Sequence, residues 1–453
     1  MEKNKKGLAL LAAVLLAVSA VGCGEQKEET TAQLPEQSLW VEDNGIDPQE
    51  GYVSERPYAM GSLTTPITVQ APANNRAPSS VKVGEEEEIR AIWLSYLDLK
   101  PMLLTKGDQS VGEKEFTRKI GEAFDNIKAL GLNTVIAQVR PFGDALYESE
   151  LFPWSYLAAG KEGKAPDFDP LEVMTEQAKK RDLRIEAWIN PYRVRNSAYN
   201  QELSKQNPVH QMLKTGDAIR YNGAITYNPA SKKAQKLIVD GVKEIVENYD
   251  VDGIHFDDYF YPTTDAMFDA DSYQQYKKSG GTKSLADWRR KNVDDLVRAV
   301  YDTVKAEDKN LLFGISPQGN LDNNYNKQFI DVKEWLSEDG YIDYICPQIY
   351  FGFENKTCPY EQTVEQWNNL IQNDVQLYVG LAPYKIGLED TFAGNGRWEW
   401  VNEDDLLANM VETAREEEHY RGFALFRYDF VFAPASDVKA EVKEEIDNLK
   451  EVL

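Results

Sequence analysis

Cysteine, histidine and long apolar runs are all scarce in this chain of 453 residues, and each scarcity removes a class of protein. Three cysteines, Cys23, Cys346 and Cys358, cannot build a disulfide scaffold, and none stands in a metal-ligand spacing. The three histidines, His210, His255 and His419, lie far apart, so no metal centre is expected and no cofactor is assigned. After residue 22 no segment is apolar enough to span a bilayer, which leaves out a polytopic membrane protein. Basic residues are outnumbered, 50 against 75 acidic, for a formal net charge of −25. Such a surface repels nucleic acid and anionic polymers such as teichoic acid, so no nucleic-acid partner is expected and a neutral glycan suits it better. What is plentiful is aromatic, with 24 Tyr, 17 Phe and 9 Trp. Sugar clefts use such rings as flat apolar platforms, and large cores use them as filling.

Residues 1–22 have the layout of a signal peptide: Lys3, Lys5 and Lys6, then an apolar run from Leu8 to Val21 too short to span a membrane. The stretch Ser19-Ala20-Val21-Gly22-Cys23 resembles a bacterial lipobox, with Ala20 where Leu is usual. The resemblance implies that Cys23 is the lipidated first residue of the mature chain. The expected location is then extracytoplasmic, with the protein anchored to the bacterial cell membrane through lipid on Cys23. Removal of residues 1–22 leaves 47 basic and 74 acidic residues, a charge of −27. Residues 23–88 are rich in Glu, Gln, Thr, Pro and Asn and end in Glu85-Glu86-Glu87-Glu88, the composition of an acidic flexible tether. Cys346 and Cys358 are expected to be free thiols.

From residue 89 to 453, short apolar runs alternate with amphipathic helical segments. Eight runs are read as strands: 91–98, 134–141, 184–191, 253–260, 311–318, 341–351, 377–384 and 422–430. Eight strands with helices between them predict an α/β fold, a (β/α)8 TIM barrel. Phe116, Ile120, Phe124 and Ile127 recur at helical spacing before a stop at Gly131, and Ser436 is expected to cap a closing helix reaching Leu449. A doubly wound open sheet lacks its usual mark, since no Gly-rich phosphate loop follows the first strand.

Chemistry in such a barrel sits at the C-terminal strand ends, and here those ends are polar. The densest is Val251–Pro262, VDGIHFDDYFYP, which delivers Asp257 and Asp258 from an apolar strand into an aromatic setting. A loop or helix-cap pair is the bland alternative, but the barrel position favours catalysis. Around this pair the substrate-binding set is Tyr96 and Asp98 on strand one, Gln138 and Arg140 on two, and Trp188, Asn190 and Tyr192 on three. His255 and Tyr259 come from four, Gln318 from five, Gln348 and Tyr350 from six, Tyr384 from seven, and Arg427 and Asp429 from eight. Residues two apart share a strand face. Trp188 and Tyr350 are expected as exposed rings that stack on sugars. Arg140 and Arg427 either contact substrate or neutralise buried carboxylates, Gln138 and Gln348 either contact substrate or bond within the core, and Glu186 lies too deep to act.

IRAIWLSYLD, NTVIAQVRPFGDALYESELFPWS, FDPLEVM, IEAWINPYRV, DGIHFDDYFYP, GISPQGN, CPQIY and FALFRYDF, in that order, together resemble the bacterial glycosyl hydrolase-like family 10. The resemblance implies an envelope glycosidase whose substrate is a peptidoglycan glycan strand stripped of its stem peptides. DGIHFDDYFYP is also similar to the DGxDxDxE signature of chitinases, but His255 replaces an Asp and Tyr259 stands at the acid's position. The adjacent pair instead resembles that of O-GlcNAc hydrolases. That similarity implies that Asp257 orients the substrate acetamide and Asp258 is general acid and base.

Geometry points the same way. A retaining enzyme with its own nucleophile needs carboxyls about 5–5.5 Å apart on opposite sides of the anomeric carbon. Neighbouring residues, with Cα atoms about 3.8 Å apart, approach from one edge. Successive strand side chains point to opposite faces, so a bend or bulge at Asp257 is required. Two alternatives stay open: Asp258 working with Asp98 or Asp429 on a plain polysaccharide, and a glycan-binding barrel without catalysis.

Overall fold

The computed structural model describes residues 82–83, 86–198 and 202–453. The signal peptide, Cys23 and nearly all of the tether lie outside the described residues. Eight parallel strands close a barrel in chain order: Ile89–Leu94, Thr134–Arg140, Arg184–Ile189, Gly253–Phe256, Leu312–Ile315, Tyr344–Ile345, Gln376–Leu381 and Tyr420–Leu425. They are numbered one to eight below, and each coincides with one of the eight apolar runs. Between them lie the covering helices, among them Glu113–Leu130, which buries Phe116, Ile120, Phe124 and Ile127 and ends at a left-handed Gly131. Among the described residues no helix is long and apolar enough to cross a membrane.

Strand alternation sorts the core into two layers. Outward residues such as Ile92, Val135, Ile185, Ile254 and Phe256 pack against the helices. Inward residues, among them Trp93, Ile136, Trp188, Tyr344, Cys346 and Tyr378, fill the barrel itself. Such large rings fit only because their neighbours are small. A Cβ on Gly314 would fall 1.9 Å from the Tyr344 ring, and one on Gly380 would fall 3.3 Å from the Trp93 ring. Tyr344 and Tyr378 stack at 4.3 Å across the space so freed.

Four expectations need correction. Strand one stops at Leu94, because Ser95 caps a helix, Tyr96–Leu103, in a capping box with Asp98; Tyr96 and Asp98 are thus first-turn helix residues. The closing helix begins at Lys439 after Val438, without a side-chain cap from Ser436. The folded part starts before residue 89, since buried Glu88 accepts hydrogen bonds from Arg415 (2.7 and 2.8 Å) and Tyr420 (2.8 Å). Finally, strand two bulges between Gln138 and Arg140, so that Gln138 pairs with inward Trp188 and Arg140 with outward Ile189. Cys346 and Cys358 are free thiols, as expected.

Candidate active site

Strand four ends at Phe256, and the chain bends at Asp258, whose carbonyl accepts from the Phe260 N–H at 3.0 Å. This is the bend that adjacent carboxyls require to serve one site. Asp257 continues the inward face of the strand toward strand three, while Asp258 turns to the side of strands five and six. Both are almost fully buried, at 3% and 4% exposure. Burial raises both carboxyls, and for Asp257 the neighbouring Asp258 adds to the rise. Two carboxylates this close and this dry do not ionise together easily, so the pair retains a proton.

Three donors hold Asp257. Trp188 Nε1 donates to Oδ2 at 3.0 Å, the Asn190 amide donates to the same oxygen, and the Tyr259 N–H reaches Oδ1 at 3.2 Å. Asn190 is itself oriented, because its Oδ1 accepts from Gln138 Nε2 at 2.6 Å while Gln138 Oε1 accepts the Tyr96 N–H at 2.9 Å. Every amide in this line therefore has its donor aimed toward the carboxyl. Gln138 and Asn190 act here through Asp257, as positioning residues.

Asp258 sits among glutamines. Gln328 Nε2 donates to its Oδ2 at 3.3 Å, and the nearby side chains of Gln318 and Gln348 offset part of the rise that burial causes. Gln348 also donates to the Ser316 carbonyl at 3.0 Å, fixing its amide. Next to them stands an aromatic wall: Tyr350 meets Tyr384 edge-on at 5.6 Å and Phe426 at 5.8 Å, and Phe426 meets Trp93 at 5.9 Å. Burial raises the Tyr350 phenol, and the charge of Asp258 contributes to the rise.

Other expected site residues are elsewhere. Trp188 is 1% exposed and belongs to the barrel interior, so it supports Asp257 and offers no face for stacking. His255 is buried one layer below the pair. Trp93 Nε1 donates to its Nε2 at 3.2 Å, which leaves the proton on Nδ1, 2.7 Å from the Tyr344 hydroxyl, and Tyr344 donates to Glu186. Burial pushes His255 down to about 3 and Glu186 up to about 7, and places both beneath the site.

Three more were displaced by departures from straight strands. Tyr192 follows the end of strand three and packs edge-on against Phe260 at 6.2 Å in the outer layer. Tyr96 packs on Phe142 at 5.4 Å, also in the outer layer. Arg140, turned outward by the bulge, lies over the Phe152 ring at 4.3 Å and abuts Gly241 of the helix Lys232–Asn248.

At strand eight, Arg427 donates to Asp98 and, at 3.2 Å, to Asp429. The Asp98 carboxyl is saturated, with Ser95 N and Oγ on one oxygen and Arg427 and the Asp429 N–H on the other. It is structural and is no partner for Asp258. Asp429 keeps 24% of its side chain exposed. Burial and the neighbouring Asp98 raise it to about 7.

Two contributors escaped the sequence reading. Arg193 donates to the Pro141 carbonyl at 2.9 Å, lies over the Tyr259 ring at 4.6 Å, and lowers the Asp257 carboxyl by its charge. Gln328 ends a π-helical turn, Asn324–Gln328, in the connection after strand five. The position of Arg193 just beyond INPY was its only signal, and Gln328 had none.

Buried carboxyls also set the pH dependence of stability. Burial raises Asp144 to about 8 and Glu186, Asp294, Asp429 and Glu445 to about 7. Each holds a proton in the folded chain that the unfolded chain releases above about pH 4, so stability falls as pH rises through this window. His255 acts oppositely, losing stability below about pH 6.5, but it is one group against five. Carboxylates held low, such as Glu115 beside Arg118, act only below about pH 4. The melting temperature is expected to be higher at pH 5 than at pH 8 by calorimetry; the reverse order would contradict this assignment of protons.

Comparison with known proteins places the chain in a family. The glycosyl hydrolase-like 10 family pattern matches residues 88–398. Glycosyl hydrolase YngK of Bacillus subtilis (strain 168) is 35% identical over 329 residues, 68% of this chain and 63% of that protein. The chain thus spans just under two thirds of that relative. Glycosyl hydrolase DigH of Escherichia coli (strain K12) is 33% identical over 405 residues, 82% of this chain and 90% of that protein. Among solved structures, the PgaB (BpsB) glycoside hydrolase domain from Bordetella bronchiseptica aligns over 81% of this chain and 98% of its own, with TM-score 0.48 and 15% identity. By the span of the family match and the likeness to both relatives, the chain belongs to the glycosyl hydrolase-like 10 family and is a glycoside hydrolase.

Proposed function

We propose that this enzyme cleaves N-acetylhexosamine-containing glycan of the cell envelope, in the first place peptidoglycan glycan strands, with the substrate's own acetamide as nucleophile. The observation that carries the reading is the pair itself: two adjacent buried carboxyls, one tied by donors and the other set among amides beside an aromatic wall. Asp257 has two donors on Oδ2 and one on Oδ1, so Oδ1 retains a lone pair for an acetamide N–H. Asp258, raised by burial, gives its proton to the glycosidic oxygen as that bond breaks. The acetamide oxygen attacks the anomeric carbon and closes an oxazoline ring as the acetamide N–H proton passes to Asp257, which returns it when the ring reopens. Asp258, now a carboxylate, takes a proton from the water that reopens it. No protein carboxylate is needed across the cleft, which agrees with the saturation of Asp98.

Asp429, partly exposed and raised to about 7, keeps a second reading in play, with Asp258 and Asp429 acting together on a plain polysaccharide. Incubation of the purified protein with peptide-free peptidoglycan, chitin oligomers and α- and β-glucans separates the readings. New reducing ends from acetamido glycans alone support the first, and release from plain glucans supports the second. Binding without cleavage of any glycan removes both.

The lipobox-like Ser19–Cys23 supports a further part of the proposal, that the mature enzyme is held at the cell membrane by lipid on Cys23. Cys23→Ala is expected to shift the protein from the membrane to the soluble fraction. An unchanged membrane fraction, with a mature N-terminus other than Cys23, would refute the anchor.

A further inference from the structure

We propose that the connection after strand seven carries an outer sugar-stacking platform, Trp398 with Phe392, for the part of the glycan strand that lies beyond the acid pair; this rests on the glycan-hydrolase reading above. Among the described residues the large apolar side chains left exposed are Met267, Tyr325, Phe392, Trp398 and Val401. All five lie in connections that leave the C-terminal ends of strands, after strand four, strand five and, for three of them, strand seven. The exposed rings therefore share the face of the barrel that carries Asp257 and Asp258. Phe392 and Trp398 are the most open of the aromatics, at 56% and 51%.

Their support is rigid, and the rings are not what makes it so. Trp400, two residues on, is 2% exposed and seats the segment, with its carbonyl accepting the Gly387 N–H at 2.7 Å. The Glu399 carboxylate accepts the backbone N–H groups of Phe353 at 2.7 Å and Glu354 at 3.1 Å, and the Lys356 N–H bonds the Ala393 carbonyl at 2.9 Å. The connection after strand seven is thereby laid on the one after strand six. Lys385 completes the link to the site by donating to the Tyr350 carbonyl at 2.7 Å and to Asp390 at 2.6 Å.

A ring displayed on a fixed support loses little entropy when a ligand stacks on it, and its exposure gives the fold nothing in return. The chemistry that fits is a pyranose, apolar on its ring face and polar at its edge.

The mature chain carrying Asp258→Asn tests the platform without turnover, by retention on insoluble peptide-free peptidoglycan. Adding Trp398→Ala and Phe392→Ala is expected to weaken retention about tenfold with no change in melting temperature. On the Asp258 background the same two substitutions are expected to leave kcat/KM for an aryl N-acetylhexosaminide within about twofold, because that substrate does not reach the platform. Unchanged retention overturns the proposal, as does a dimer in light scattering that the two substitutions dissociate. Weakened retention together with failure of the unsubstituted enzyme on the aryl substrate would uphold the platform and sink the acetamido-hydrolase reading.

Discussion

Asp258→Asn is expected to abolish cleavage of peptide-free peptidoglycan, with a loss of roughly 10²–10⁴ in kcat, while leaving measurable turnover of an aryl N-acetylhexosaminide. The difference comes from the leaving group. A sugar hydroxyl departs only with a proton, and Asp258 is the carboxyl placed to supply it, raised by burial among Gln318, Gln328 and Gln348. A nitrophenolate departs without one, so the asparagine enzyme still forms the oxazoline. Release of aryl alcohol and of reducing ends, measured side by side, decides the point. Equal loss on both substrates would assign Asp258 to holding the acetamide or the fold, and not to proton transfer.

Asp257→Asn is expected to lower turnover of polymer and aryl glycoside alike, by on the order of 10²–10³, since orienting and polarising the acetamide is needed whatever group leaves. A thiazoline mimic of the cyclised intermediate is expected to inhibit the unsubstituted enzyme and to bind the Asp257→Asn variant poorly. The melting temperature separates this role from simple misfolding, and it is expected to hold because the donors around position 257, Trp188, Asn190 and the Tyr259 N–H, remain to seat an amide oxygen. Restoration by azide with an inverted glycosyl azide product would make Asp257 the nucleophile and overturn the substrate-assisted scheme.

The fold was legible because barrel strands repeat one signal. Runs such as TVIAQVR and RIEAWI are apolar on both faces, as strands wedged between helices and a filled barrel must be. The acid pair was legible for a related reason, since two carboxylates leaving an apolar strand have no use in a core. The expectation for residues around the pair rested on perfect alternation, and alternation survives only while the strand is regular. Gln138, Trp188, Asn190 and Asp257 kept the inward face. Arg140 lost it to a one-residue bulge, and Tyr96 and Asp98 lost it to a helix that starts at Ser95.

Composition and periodicity by themselves therefore determined the (β/α)8 barrel, its polar end and the Asp257–Asp258 pair. Only the tertiary structure decided which side chains serve that pair. It made Trp188 a buried donor in place of a stacking surface, joined Gln138 and Asn190 into a line of amides, spent Asp98 on Arg427, and brought in Arg193 from a three-residue strand and Gln328 from a π-helical turn, neither with a periodic signal. The physical reason is that burial and hydrogen-bond partnership depend on separations of a few ångströms between residues distant in the chain. A strand's local pattern specifies which face a side chain takes, but not how deep it ends or what lies opposite.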